Sequence, residues 1–270
     1  MTQSHPIPPI LLLGAGRMGG ALMEGWTRTG AYRDDQLILR DPNPGPAALQ
    51  AQAAGARLNP DDAVLAEANT VLVAVKPQLW REAAAQVVAH LSPGAMIVSI
   101  AAGVACADLA EAFGGRPVAR VMPTTAVAIA KGVASIWSTD PRASAAAHAL
   151  FDPVATSVDL PSEGLVDVAV GMSGSAPAYL YAFIEALEAA GEAQGLTPEL
   201  SQTLTRATLI GAAALLDHTG EDPAELRRQV TSPGGTTAAA LAVLMGEQGL
   251  GPLAKAAVDA AVKRSRELGR

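Results

Sequence analysis

A short apolar run, Ile10–Leu13, leads directly into Gly14-Ala15-Gly16-Arg17-Met18-Gly19. Three glycines at this spacing, between a strand and a helix, restrict the fold more than any other segment. The first glycine permits a tight turn. The second lets a ligand approach the backbone, and the third lets the helix pack closely on the strand. The N–H groups opening that helix then face any phosphate held over the turn. Gly14, Ala15, Gly16, Arg17, Met18 and Gly19 therefore read as the cradle of a dinucleotide pyrophosphate.

The pattern beyond the turn supports that reading. Short leucine and β-branched runs predict strands at Ile10–Leu13, Leu37–Arg40, 71–75, 96–100, 118–122, 133–137 and 156–160. Helical stretches fall between them at 18–28, 47–54, 79–90, 107–113 and 143–151. Strands separated by single helices predict a parallel sheet with right-handed crossovers. After Pro161 the alternation stops, and helices are predicted at 176–194, 198–218, 223–230, 237–245 and 253–268. Glycines and prolines mark the breaks, at Gly195, Gly220, Pro233-Gly234-Gly235 and Gly251-Pro252. The boundary is expected near 160–164, dividing a sheet domain (1–162) from an all-helical domain (163–270). The stretch 198–218 is nearly uncharged along its middle, where Arg206 stands alone. A helix apolar almost all round must be buried on more than one side, which predicts packing in a dimer core.

The ends of the predicted parallel strands supply the candidate cofactor contacts, because ligands of open α/β sheets bind there. Asp41 follows the second strand about 20 residues past the turn, where an acid holds a ribose 2′-hydroxyl. Arg40 beside it would instead pair with a 2′-phosphate. Asp41 also reads as a turn cap, since 41–46 is rich in proline and glycine. Val75, Lys76 and Pro77 lie at the C-terminal end of the third such strand. Lys76 either reaches the cofactor or is a solvated loop lysine. The small residues Ala101, Ala102 and Gly103 follow the next strand and would let backbone approach a nicotinamide.

Composition removes several function classes. The formal net charge is −7 and aromatic residues make up 3% of the chain. Nucleic-acid binding needs clustered cations or stacking platforms, so neither duplex nor single-stranded partners are expected. The single cysteine, Cys106, allows no intrachain disulfide and reads as a small core residue. His5, His90, His148 and His218 are scattered, so no metal site is readable. No basic leader precedes the short run Ile10–Leu13, and no uncharged stretch reaches membrane length; the expected location is the cytoplasm.

In the second half, Thr231-Ser232-Pro233-Gly234-Gly235-Thr236-Thr237 precedes a helix. Such a turn aligns backbone N–H groups into an anion nest suited to a carboxylate, with Thr236 or Thr237 placed to cap the helix. Ser173-Gly174-Ser175-Ala176-Pro177 opens another helix in a similar way.

The segment 226–237, Leu-Arg-Arg-Gln-Val-Thr-Ser-Pro-Gly-Gly-Thr-Thr, resembles the signature of the pyrroline-5-carboxylate reductase family. Similar segments occur in order along the chain: 14–19, 74–78, 99–104, 120–123, 173–179 and 183–187. The resemblance implies a Rossmann-type domain followed by a helical dimerisation domain. It implies reduction of the cyclic imine 1-pyrroline-5-carboxylate to L-proline, the last step of proline biosynthesis. The hydride donor would be NADPH or NADH, with NADPH favoured. It also implies a homodimer, assembled in some members into decamers. By the family's pattern Ser232, Gly235, Thr236 and Thr237 hold the substrate carboxylate, with Gly234 in the same substrate-binding turn, the Thr237 hydroxyl bonds the ring nitrogen, and Ser173, Gly174 and Ser175 line the same pocket. The chain departs from the family at Thr124-Thr125-Ala126, where Asn-Thr-Pro is usual, and at Ala176, where glycine is usual.

An imine suits a chain with no evident general-acid pair, because a protonated C=N accepts hydride readily. The protein need only align the ring and anchor its carboxylate. Two alternatives stand beside it. A β-hydroxyacid dehydrogenase-like reductase resembles enzymes with a catalytic lysine on the long helix after the sheet domain, but no lysine lies between Lys131 and Lys255. A non-enzymatic NAD(P)-binding paralogue would not need the turn at 231–237.

Overall fold

The computed structural model describes residues 9–268; His5 lies outside them. Eight strands form one sheet in the order β3-β2-β1-β4-β5-β6-β7-β8. They are β1 (Ile10–Leu13), β2 (Leu37–Arg40), β3 (Arg57–Leu58), β4 (Thr70–Val73), β5 (Met96–Ser99), β6 (Val118–Pro123), β7 (Gly132–Ser138) and β8 (Ala155–Asp159). The helices of this part are α1 (Arg17–Thr29), α2 (Pro46–Ala53), α3 (Trp80–Val87), α4 (Cys106–Ala112), α5 (Pro141–Phe151) and α6 (Gly164–Ala169).

The central strands are buried on both faces, which is why they read as continuous apolar runs, whereas the edge strands β3 and β8 are partly exposed. In β1, Leu12 points into a core with Leu22, Trp26 and Phe151 from α1 and α5. Its neighbours Leu11 and Leu13 point into a second core with Trp80, Leu109 and Phe113, from α3, α4 and the residue after α4. The Trp26 indole N–H, fully buried, donates to the carbonyl of Leu150 at 2.7 Å.

Six strands run parallel, as expected, but β7 runs antiparallel to β6 and carries β8 with it. The physical reason is the link between them. It is a short segment with a 3-10 turn at Thr125–Ile129, too short for the helical crossover a parallel pair needs. Thr124, at the family departure, closes this link. Its hydroxyl accepts the Val133 N–H at 3.0 Å, and its own N–H donates to the Val133 carbonyl at 3.0 Å. The two-residue β3 and the short α6 carry too little pattern to be read from sequence.

After α6 the helix widens into a π turn, Val170–Gly174, and then continues as α7 (Ala176–Ala193). The remaining helices are α8 (Pro198–Thr219), α9 (Pro223–Gln229), α10 (Thr236–Leu244) and α11 (Leu250–Leu268). By compactness the chain divides into two units: residues 9–174 with 261–268, and residues 175–260. Compactness thus groups α6 and the π turn with the sheet, beyond the boundary expected near 160–164, because carboxylates of this segment pair with a buried arginine of β6.

In the second unit α7 and α8 form a hairpin. Gly191 allows the approach, since a Cβ there would lie 2.4 Å from Ser201 Oγ. The Ser201 hydroxyl donates to the Glu188 carbonyl at 2.6 Å, and Arg206 pairs with the Glu188 carboxylate at 2.8 Å. Pro198 and Pro223 open their helices behind capping side chains of Thr197 and Asp222. Much of the apolar surface stays open in the single chain: Ile210 is 71% exposed and Val243 75%. No described helix is long and apolar enough to cross a membrane.

Candidate functional site

The strand register brings the predicted cofactor residues to one edge. Leu13 at the end of β1 is level with Arg40 of β2 and Val73 of β4, and Val73 is level with Ser99 of β5. The residues that follow these four ends therefore lie side by side. Gly14 N–H donates to the Arg40 carbonyl and Ala74 N–H to the Leu13 carbonyl, both at 2.8 Å.

Each glycine of the turn has a separate physical reason. Gly14 has φ +91°, and a Cβ there would meet Val75 Cγ1 at 2.9 Å. At Gly19 a Cβ would meet the Gly14 carbonyl oxygen at 2.4 Å, so the helix packs against the turn itself. Gly16 is different: no heavy atom of the described residues lies within 4 Å of where its Cβ would be. It is the N-cap of α1, and no side chain caps that helix. Open space over an uncapped helix start is the shape that a pyrophosphate fills. Gly16 and Arg17 are exposed, Met18 is half-buried, and Gly14, Ala15 and Gly19 are buried. A groove of about 1190 Å³ adjoins the turn, bordered by Gly16, Arg17, Asn43 and Gly45.

The end of β2 is more constrained than sequence shows. One oxygen of the Asp41 carboxylate accepts the Ala15 N–H at 2.8 Å, and the other accepts the Asn43 N–H at 2.8 Å. Asn59 clamps the Asp41 backbone, accepting its N–H at 3.0 Å and donating to its carbonyl at 2.8 Å. Asp41 is thus a turn cap and a brace for the glycine turn at once. The Arg40 guanidinium pairs with Asp62, while its Nε is buried without a hydrogen-bond partner among the described residues.

Val75, Lys76 and Pro77 form the turn into α3, where the Lys76 carbonyl accepts the Leu79 N–H at 2.9 Å and the lysine side chain is exposed. Ala101 is buried and Ala102 half-buried. Gly103 has φ +76°, which only glycine adopts without cost. Cys106 opens α4 with its thiol pushed up to about 12, first by burial and then by the nearby Glu163 carboxylate. It is a neutral thiol and no nucleophile at ordinary pH.

In the second unit the chain leaves α9 and turns through Ser232 to Gly235. Gly234 takes φ +69°, and a Cβ at Gly235 would lie 2.5 Å from Ser232 Oγ. The Gly235 N–H donates to the Ser232 carbonyl at 3.1 Å. The helix cap is Gly235 rather than Thr236 or Thr237, because both threonines already lie inside the first turn of α10. Among the described residues no side chain caps α10, so its first N–H groups stay open to an anion. Ser232, Gly234 and Thr236 are exposed and Thr237 is half-buried.

Ser173 and Gly174 lie in the π turn rather than in a loop, and Ser175 follows as the residue before α7. The Ser173 hydroxyl donates to the Ala169 carbonyl at 2.9 Å. Sequence reasoning missed Asn59, Asp62 and the partners of Arg120, all joined by contacts distant along the chain. It also missed Tyr179, whose hydroxyl is buried without a partner among the described residues. Its place in Ser-Gly-Ser-Ala-Pro-Ala-Tyr was the available signal.

Comparison with known proteins bears on the same segments. Residues 163–268 match the family model described as pyrroline-5-carboxylate reductase dimerisation. Residues 9–103 match the model described as NADP oxidoreductase coenzyme F420-dependent. The chain is 35% identical to a pyrroline-5-carboxylate reductase of Synechocystis over 266 residues, covering 96% of this chain and 97% of that one. Among solved structures it is similar to a pyrroline-5-carboxylate reductase from Coxiella burnetii, with TM-score 0.88 and 28% identity over 97% of this chain and 99% of that one. It is similar also to the Plasmodium falciparum pyrroline carboxylate reductase solved with NADP bound, with TM-score 0.83 and 25% identity over 97% and 98% of the two chains.

Proposed function

Because the chain belongs to the pyrroline-5-carboxylate reductase family, we propose that it reduces 1-pyrroline-5-carboxylate to L-proline with NADPH or NADH, completing proline biosynthesis. The observation that carries this reading is the turn before α10. It is an uncapped helix start, shaped by Gly234 and Gly235, with Ser232, Thr236 and Thr237 around it. A carboxylate on a small ring is the anion it fits.

The residues of 1–162 hold the cofactor, and those of 163–270 hold substrate and partner. When bound, the reduced nicotinamide supplies the hydride. The N–H groups opening α1 take the pyrophosphate, which Gly16 lets approach. The turn at 232–237 anchors the imino acid by its carboxylate, and the Thr237 hydroxyl bonds the ring nitrogen. Ser173, Gly174 and Ser175 are further substrate-binding residues in this reading. The C=N carbon gains the hydride while its nitrogen keeps the proton that made it electrophilic, giving a secondary amine. Catalysis here is positioning, which needs no acid of unusual strength.

The apolar helices of 163–270 associate with a second copy to form a homodimer, as their exposed Ile210 and Val243 require. Assembly of five such dimers into a decamer is the further step we propose. The cytoplasm, where reduced nicotinamide cofactors are regenerated, is the compartment this chemistry calls for.

The test is oxidation of NADPH and of NADH, followed with and without pyrroline-5-carboxylate. Turnover that depends on the imine is expected. Thr237→Ala should lower kcat/KM by at least about tenfold, or ~1.4 kcal/mol. Absence of turnover with either cofactor would sink the reading. Turnover of a β-hydroxy acid instead would favour that class, and tight cofactor binding without any turnover would favour a non-enzymatic role.

A further inference from the structure

Arg120 and Met122 lie two residues apart on β6, so both face the same side of the sheet. Arg120 is buried, with 5% exposure. Its Nη1 donates to Glu163 Oε1 at 3.0 Å, and its Nη2 lies 3.9 Å from Asp167 Oδ1. Glu163 and Asp167 are four residues apart, which puts both carboxylates on one side of α6. Each carboxylate has a further partner. Glu163 accepts the Cys106 backbone N–H at 2.7 Å, and Asp167 accepts the Ser265 hydroxyl at 2.7 Å.

The other end of the same segment also rests on β6. A Cβ at Gly174, the last residue of the π turn, would lie 2.9 Å from Met122 Cε. One face of β6 therefore holds both ends of the stretch 163–174, by charge at the start and by close packing at the finish. A π turn is an uncommon helical geometry that surrounding structure must hold in place. Ser173, bonded to the Ala169 carbonyl at 2.9 Å, sits inside it.

We propose that Arg120 is a positioning residue for the imine pocket. Acting through Glu163 and Asp167, it fixes where the π turn presents Ser173 and Gly174. The proposal rests on the reading of 173–175 as part of the substrate site. A buried ion pair is a weak source of stability beside apolar packing, but its geometry is specific, and here it specifies the position of a turn.

Asp167→Asn in the full chain carries the test, because it keeps size and an acceptor for Ser265 while removing one charge. The KM for pyrroline-5-carboxylate should rise about fivefold or more while that for NADPH stays within about twofold. Hydrogen exchange at 170–174 should quicken by about tenfold, with the amides of β4 unchanged. Arg120→Lys, which retains a cation, should keep more activity than Arg120→Met. A lower Tm with the imine KM unchanged would overturn the proposal, as would an equal rise in both KM values. Should the wild type fail to turn over the imine, the proposed function fails, and exchange at 170–174 then decides the positioning role alone. Unchanged exchange there would overturn it.

Discussion

The Asp41 carboxylate accepts the backbone N–H of Ala15 at 2.8 Å across 26 residues of sequence. This bond ties the end of β2 to the glycine turn. Each Asp41 oxygen accepts one backbone N–H and keeps a second lone pair for a further donor. Beside it, the Arg40 guanidinium is held by Asp62, whose second oxygen lies 3.5 Å from His90 Nε2. Both side chains are thus already engaged within the fold, Asp41 by backbone N–H groups and Arg40 by Asp62.

Asp62→Ala should release Arg40 toward a 2′-phosphate. A charge-assisted bond is worth about 1.5–3 kcal/mol, reduced by solvent at this half-open site. The expected outcome is an NADPH KM lower by about threefold or more, with the NADH KM unchanged. Steady-state kinetics with both cofactors measure it, and equal shifts for the two would refute the role given to Arg40.

Gly16 and Gly19 should respond in opposite ways to alanine. A Cβ at Gly19 would stand 2.4 Å from the Gly14 carbonyl oxygen, so Gly19→Ala forces α1 away from the turn. Overpacking of this kind costs about 1–3 kcal/mol and should lower Tm. Gly16→Ala meets nothing among the described residues and should leave Tm in place. On the proposed reading of the turn its methyl group would meet the pyrophosphate, so the Kd for NADPH should rise about tenfold, or ~1.4 kcal/mol. Thermal melts and a fluorescence titration of NADPH separate the two effects.

Ile210→Glu should break the dimer. Ile210 is 71% exposed in the single chain, and burying such a side chain contributes about 1.5–3 kcal/mol per copy. A carboxylate placed there opposes association through desolvation. Sedimentation velocity should show a dimer for the wild type and a monomer for the variant, with Tm becoming independent of concentration. A wild type that sediments as a monomer would contradict the dimer.

His148 should give the fold a shallow pH dependence. Its Nδ1 lies 2.9 Å from Asp152 Oδ1 and its Nε2 3.2 Å from Asp159 Oδ1. The bond to Asp152, supported by Asp159, raises its pKa above the ordinary imidazole value despite partial burial. The folded state thus favours the protonated ring. The contribution is complete below the unfolded pKa of ~6.5 and is lost as pH rises through the folded value. Its size should stay below about 1 kcal/mol at this partly exposed position. Melts across this range should show wild-type stability falling with rising pH, and His148→Gln should flatten that slope.

The parts that were legible in the sequence are those with a local cause. β1 and β2 fall at the residues their apolar runs predict, and the long helices end where Gly195 and Gly220 permit a left-handed residue. The turn at 231–237 was legible because its proline and two glycines bend the chain without outside help. The threonine cap was misread there because Gly235 and Thr236 differ by one position, and propensity alone does not resolve a single residue.

Sequence by itself determined a glycine-turn sheet domain followed by apolar helices, since periodicity, capping and turn chemistry act within a few residues. Tertiary structure alone decided the reversal of β7, the brace from Asp41 to Ala15, the capture of Arg40 by Asp62, and the anchoring of the π turn through Arg120. Each of these depends on groups brought together from distant positions. In Asp167 and Ser265, for example, the bonded partners stand 98 residues apart. No local pattern encodes such a pairing, because its energy exists only once the chain has closed around it.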